Sequence, residues 1–118
     1  MGKAQLEKII QDIKSSSYDA IILVEGKRDK EALKKAGIPD YLIMQVSYKD
    51  NNQIYKEIIR YEKRKIIALY DNDNTGKKKF SRVKAFFNGM GIQILDYKKR
   101  LKNAGITYIE EIDNRLDL

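Results

Sequence analysis

Short apolar runs alternate with amphipathic segments along the chain, and this alternation narrows the fold more than any other feature. "DAIILVEG" (19–26) and "KIIALYD" (65–71) are continuous apolar runs of strand length, the pattern of strands buried on both faces. "YLIMQV" (41–46) and "IQILDY" (92–97) read as two further strands. Between and around them lie helical periods. "AQLEKIIQDIKS" spaces Leu6, Ile9, Ile10 and Ile13 along one stripe, predicting an N-terminal helix over about 3–15. "KRDKEALKKAG" reads as a helix closed by Gly37 ahead of Pro39. "NQIYKEIIRYEKR" sets Ile54, Ile58 and Tyr61 on one face, and "GKKKFSRVKAFFNGMG" does the same with Phe80, Val83, Phe87 and Met90. "ITYIEEIDNRL" predicts a closing helix. Strands alternating with helices predict an α/β fold of about four mainly parallel strands, with helices on both faces. A chain of 118 residues fits one domain over 1–118.

In an open parallel sheet, ligands bind beyond the carboxyl ends of the strands. Two of the four expected strands end there in acids: Glu25 after the first, Asp71 and Asp73 after the third. Residues i and i+2 of an extended chain point to one side, so both aspartates can face one pocket. If the first and third strands pair, Glu25 joins them at the same edge. Like charges so close repel unless a cation lies between them. Each acid also has a plainer reading. Asp73 suits the cap of a helix starting near Thr75, and Glu25 could pair with Lys27 or Arg28.

The chain has neither Cys nor His. That excludes disulfides, thiolate chemistry, imidazole bases and zinc sites of the usual kind. A metal here must be held by oxygen, which favours Mg²⁺, with Mn²⁺ a workable substitute. Two glycines fit such a pocket. Gly26 offers a sharp turn and room for a ligand, and Gly76 opens a helix whose free N–H groups favour phosphate. "TGKKK" is not a phosphate-binding loop: the earlier glycine is missing and Lys78 stands where Ser or Thr is needed.

"VEGKRD" on the first strand and "DNDNTG" on the third resemble the two motifs of the Toprim domain, found in topoisomerases, bacterial-type primases, some nucleases and recombination mediators. The resemblance runs from about Asp19 to Glu111 and is closest to the small stand-alone primase-like proteins of archaea and to the 5S ribosomal RNA maturase. It implies a Rossmann-like sheet and Mg²⁺-dependent phosphoryl transfer on RNA or DNA, nuclease-like or primase-like, in nucleic-acid processing, repair or replication. By the same resemblance Glu25 is a general acid or base and a metal ligand, and Asp71 and Asp73 are metal ligands. Asp29 matches an acid common in that branch, although helix N-terminal charge also accounts for it. Topoisomerases carry a third acid where this chain has Thr75.

The net charge of +7 suits a polyanion such as nucleic acid. Lys27 and Arg28 follow Glu25, Lys77, Lys78, Lys79, Arg82 and Lys84 lie on the helix after the aspartates, and Lys98, Lys99 and Arg100 follow the fourth strand. Of these, Lys27, Arg28, Lys77, Lys78, Lys98, Lys99 and Arg100 are the expected phosphate contacts. Lys63, Arg64 and Lys65 precede the third strand and belong at the opposite edge. No run approaches the ~20 apolar residues that span a bilayer, and the N-terminus lacks a signal-peptide pattern, so cytoplasm is expected. Two other functions suit the same residues: a nucleic-acid-binding or complex-assembly module without turnover, and, more distantly, a phosphoacceptor signalling domain.

Overall fold

A computed structural model describes residues 2–118. The elements run α1 (Gly2–Ser16), β1 (Ala20–Val24), α2 (Lys27–Lys35), β2 (Ile43–Gln45), α3 (Asn51–Arg60), β3 (Lys65–Leu69), α4 (Asn74–Gly89), β4 (Gln93–Leu95), α5 (Lys98–Asn103) and α6 (Ile112–Arg115), the last entered through a 3-10 turn at Ile109–Glu111. The strands form one sheet in the order β2-β1-β3-β4, and every pairing is parallel. The chain therefore winds outward from β1 to β2, returns, and continues from β3 to β4 on the other side. The point of return lies between β1 and β3, where such sheets bind ligands.

Alternation along β1 divides the core in two. Ala20, Ile22 and Val24 face one side, packing with Leu6, Ile9 and Ile13 of α1, Leu33 of α2, Leu101 of α5 and Ile109 and Ile112 of the C-terminal segment. Ile21 and Leu23 face the other, against Ile54 and Ile58 of α3 and Phe80, Val83 and Phe87 of α4. Both faces of the sheet are thus covered, which is why β1 and β3 read as continuous apolar runs rather than alternating ones.

Two expectations need correcting, and one element was not expected. The closing helix shrinks to a 3-10 turn and the four-residue α6, because Ile109, Ile112 and Leu116 reach the core from a tightly curled segment. The stretch after β4 folds as the six-residue α5, which has too few apolar positions to show a helical period. Gly26 makes no sharp turn: its backbone is extended (φ −141°, ψ 178°), a conformation open to any residue.

Ile22 is fully buried at the centre of the larger cluster. Ile22→Ala is expected to destabilise the fold by about 2–5 kcal/mol, read from urea unfolding with an unchanged m-value. A loss below about 1 kcal/mol would contradict this placement of the core.

Candidate active site

β1 and β3 pair in register, with Val24 opposite Leu69. The residues that follow each strand are thereby forced together. Glu25 Oε1 accepts a hydrogen bond from the Asp71 N–H at 3.1 Å, and Glu25 Oε2 takes an ion pair from Lys79 Nζ at 3.0 Å. Asp71 turns the other way, its Oδ1 accepting from the Ile109 N–H at 2.9 Å. Asp73 caps α4, its Oδ1 accepting from the Gly76 N–H at 2.7 Å. The strand period does not extend past Leu69, so the two aspartates engage different backbone donors. Oδ2 of each aspartate accepts no hydrogen bond from the described residues.

Asp29 joins this acidic edge from α2. It is buried, and Oδ2 accepts from the Gly26 N–H at 3.2 Å. Burial pushes its carboxyl up to about 6, Asp71, Glu25 and Glu110 push the same way, and the Gly26 N–H opposes them. Asp71 is also raised: burial is the main cause, the Ile109 N–H works against it, and Glu25, Asp73 and Glu110 add to it. Tyr70, buried beside Glu25, is raised chiefly by burial. The edge therefore carries negative charge that its own hydrogen bonds do not fully offset.

The basic residues divide. Lys98 Nζ donates to the Asp71 carbonyl at 3.1 Å and lies 4.8 Å from the centre of the Phe80 ring. Burial lowers its ammonium below the usual lysine range, while Asp96, Glu25 and Asp71 hold it up. Arg100 is paired with Asp12 of α1 at 2.6 Å, with both side chains partly exposed. Lys27, Arg28, Lys77, Lys78 and Lys99 are exposed and make no ion pair among the described residues. Lys63 and Lys65 lie at the far edge as expected, bonded to Ser17, Tyr18 and Asp19.

Gly76 is required by close approach. A β-carbon there would collide with the Asp71 carbonyl, so the first turn of α4 packs directly on the loop carrying the aspartates. Its N–H is taken by Asp73, leaving it unavailable to a phosphate. A β-carbon at Gly26 would meet nothing within 4 Å, so the space at that position is open.

Sequence reasoning missed four participants. Lys79 was seen as a helix-face cation, not as the partner of Glu25. The others are Glu110, the Ile109 N–H and Asn72, whose side chain donates to the Lys98 and Ile106 carbonyls at 3.3 and 3.4 Å. The donor set is all oxygen and the raised Asp71 marks charge a hard cation would relieve, so the chemistry suits Mg²⁺ or Mn²⁺. Among the described residues, however, no three acidic side chains are drawn into a group able to hold an ion as they stand.

A parallel β2-β1-β3-β4 sheet with acids at its switch point places the chain among α/β proteins whose functional edge lies at the carboxyl ends of the strands. It belongs to the Toprim domain family, whose model matches residues 19–96. A UPF0292 protein of Methanocaldococcus jannaschii is 29% identical over 113 residues, covering 92% of this chain and 87% of that one. A UPF0292 protein of Pyrococcus furiosus is 25% identical over 114 residues, covering 97% and 83%. Among solved structures, a protein from Aquifex aeolicus matches with a TM-score of 0.82 and 31% identity over 91% of this chain and 97% of its own. No described helix is long and apolar enough to cross a membrane.

Because the folded-state Asp29 carboxyl lies near 6, above its unfolded value near 4, the native state binds the extra proton between those pH values. Stability from this group is therefore full below about pH 4 and is lost as pH rises through about 6. Asp29→Asn, which keeps an acceptor for the Gly26 N–H, is expected to be more stable than the parent at pH 8 by about 1–2 kcal/mol. The difference should shrink towards zero at pH 4 in paired urea titrations. A variant less stable at both values would show that the carboxylate charge is favourable here.

Proposed function

We propose that this chain performs Mg²⁺-dependent phosphoryl transfer on the phosphodiester bonds of nucleic acid, with strand cleavage the favoured outcome. The observation that carries the reading is the meeting of Glu25 and Asp71 across the β1–β3 pair, at an edge where burial and then neighbouring carboxylates raise Asp71. Asp71 and Asp73 would hold the ion through their free Oδ2 atoms, with Glu25 as the third ligand. When bound, Mg²⁺ would neutralise charge on the phosphoryl oxygens. Glu25 would give or take the proton at the attacking or departing oxygen once released from Lys79. Lys98 and the unpaired lysines Lys77 and Lys78 would bind the non-bridging oxygens on either side of the scissile bond. Thr75 in place of a third acid favours one tightly held ion over two.

One observation favours the second reading, a binding or assembly module without turnover. Glu25 is already tied to Lys79 and to the Asp71 N–H, and Asp71 and Asp73 each give one oxygen to a backbone donor. Labelled total RNA and single-stranded DNA, incubated with and without Mg²⁺, separate the two. The first reading expects Mg²⁺-dependent cleavage that falls at least about 100-fold in Asp71→Asn and in Glu25→Gln, with nucleic acid still bound by Glu25→Gln. Equal traces from the parent and both variants would leave only the binding module.

A further inference from the structure

The loop between β2 and α3 holds Tyr48 in an uncommon state. Its backbone is left-handed (φ 67°), a region that a β-carbon disfavours, and its side chain is fully exposed, so no packing within the chain rewards the strain. The ring stands at the rim of a cavity of about 380 Å³ whose wall includes Glu25, a volume in the range of ligand clefts. Apolar surface comes from Val46, Ile54 and Val83, and positive charge from Lys79 and Arg82. Arg82 makes no ion pair among the described residues, and Lys79 is balanced only by Glu25 itself. An exposed aromatic ring beside an apolar-floored cavity with a cationic rim matches the chemistry of an unstacked nucleobase and its phosphate.

Of the other exposed tyrosines, Tyr18, Tyr41 and Tyr61 precede β1, β2 and β3 and so lie at the opposite edge of the sheet, and Tyr108 precedes Ile109 on the Asp71 flank. Tyr48 alone of the exposed tyrosines lines the cavity whose wall includes Glu25.

We infer that Tyr48 is a stacking platform for one base of a single-stranded polynucleotide, seated over the cavity between α3 and α4, with the adjoining phosphate held by Arg82. This rests on the nucleic-acid reading above and narrows it to single strands, because a base paired within a duplex has no free face to offer the ring. The strand would run from Tyr48, on the β2 side of Glu25, towards Asp71 and Lys98 on the other side.

Fluorescence anisotropy with labelled dT8 and U8, in EDTA so that no cleavage intervenes, tests the inference. Tyr48→Ala is expected to weaken binding roughly 5- to 100-fold and Tyr48→Phe to bind as the parent does. Tyr41→Ala, at the far edge, should leave binding unchanged. An all-abasic strand of the same length should bind the parent and Tyr48→Ala equally. Thermal unfolding of Tyr48→Ala should match the parent, since the ring packs against nothing. If the parent binds either strand and Tyr48→Ala binds it equally well, the stacking site is overturned while the nucleic-acid reading stands. If it binds duplex as tightly as single strand, with the same loss in Tyr48→Ala, strand selectivity is overturned. If it binds no nucleic acid at all, both readings fall.

Discussion

The parallel pairing of β1 with β3 is the constraint on which the site depends. Five residue pairs from Ala20–Lys65 to Val24–Leu69 fix the register, and both strands are buried on the two faces of the sheet. A slip of one residue would turn every side chain to the opposite face and bury each cluster's residues in the wrong one. The register is therefore held by packing well away from the acids. Glu25 and Asp71 meet because hydrophobic matching leaves their strands no alternative end point, and the repulsion between them is borne by that core.

The local electrostatics show how the repulsion is contained. Each carboxylate gives one oxygen to a backbone N–H: Glu25 to Asp71, Asp71 to Ile109, Asp73 to Gly76 and Asp29 to Gly26. Backbone donors favour the charged forms without supplying a full positive charge. They lower the cost of the cluster and leave it net negative, while burial, with the neighbouring carboxylates adding to it, keeps Asp29 and Asp71 raised. The one side-chain cation paired with these acids is Lys79, half-exposed on α4 and attached by a flexible stem. A partner of that kind is easily exchanged for another cation, whereas the backbone donors are fixed by the fold.

The parts of the molecule that a reader could take from the sequence are those encoded by side-chain periodicity. α1, α3 and α4 carry enough apolar positions to declare their period, β1 and β3 declare themselves as continuous apolar runs, and with these comes the meeting of Glu25 and Asp71. What could not be read depends on backbone groups or on short helices. The Ile109 N–H leaves no trace in residue identity, so the C-terminal segment gave no sign of reaching Asp71. Likewise "YKKRLK" looks like one basic patch, yet residues two apart on a helix point in different directions. With Leu101 buried, Lys98 reaches Asp71 while Arg100 reaches Asp12 on α1. Tyr48 was hidden for another reason: nothing in "SYKD" announces a left-handed tyrosine.

The β4 and β2 flanks of the site are unequal in how firmly they are bonded. On the β4 side, the Asn72 N–H donates to the Thr107 carbonyl at 2.7 Å, its side chain reaches the Lys98 and Ile106 carbonyls, and Ile109 closes onto Asp71. Entry there would have to break a set of bonds that also anchors Ile106 and Ile109 in the core. On the β2 side, Glu25 borders an open cavity and Gly26 has no neighbour where a β-carbon would stand. On the reading proposed above, a strand seated at Tyr48 and Arg82 would reach Glu25 from this side. The Lys79 ammonium lies on that path, so an incoming phosphate would draw it from Glu25 and free the carboxylate as it binds. Charge exchange at Lys79 would then couple arrival of a polyanion to release of the acid.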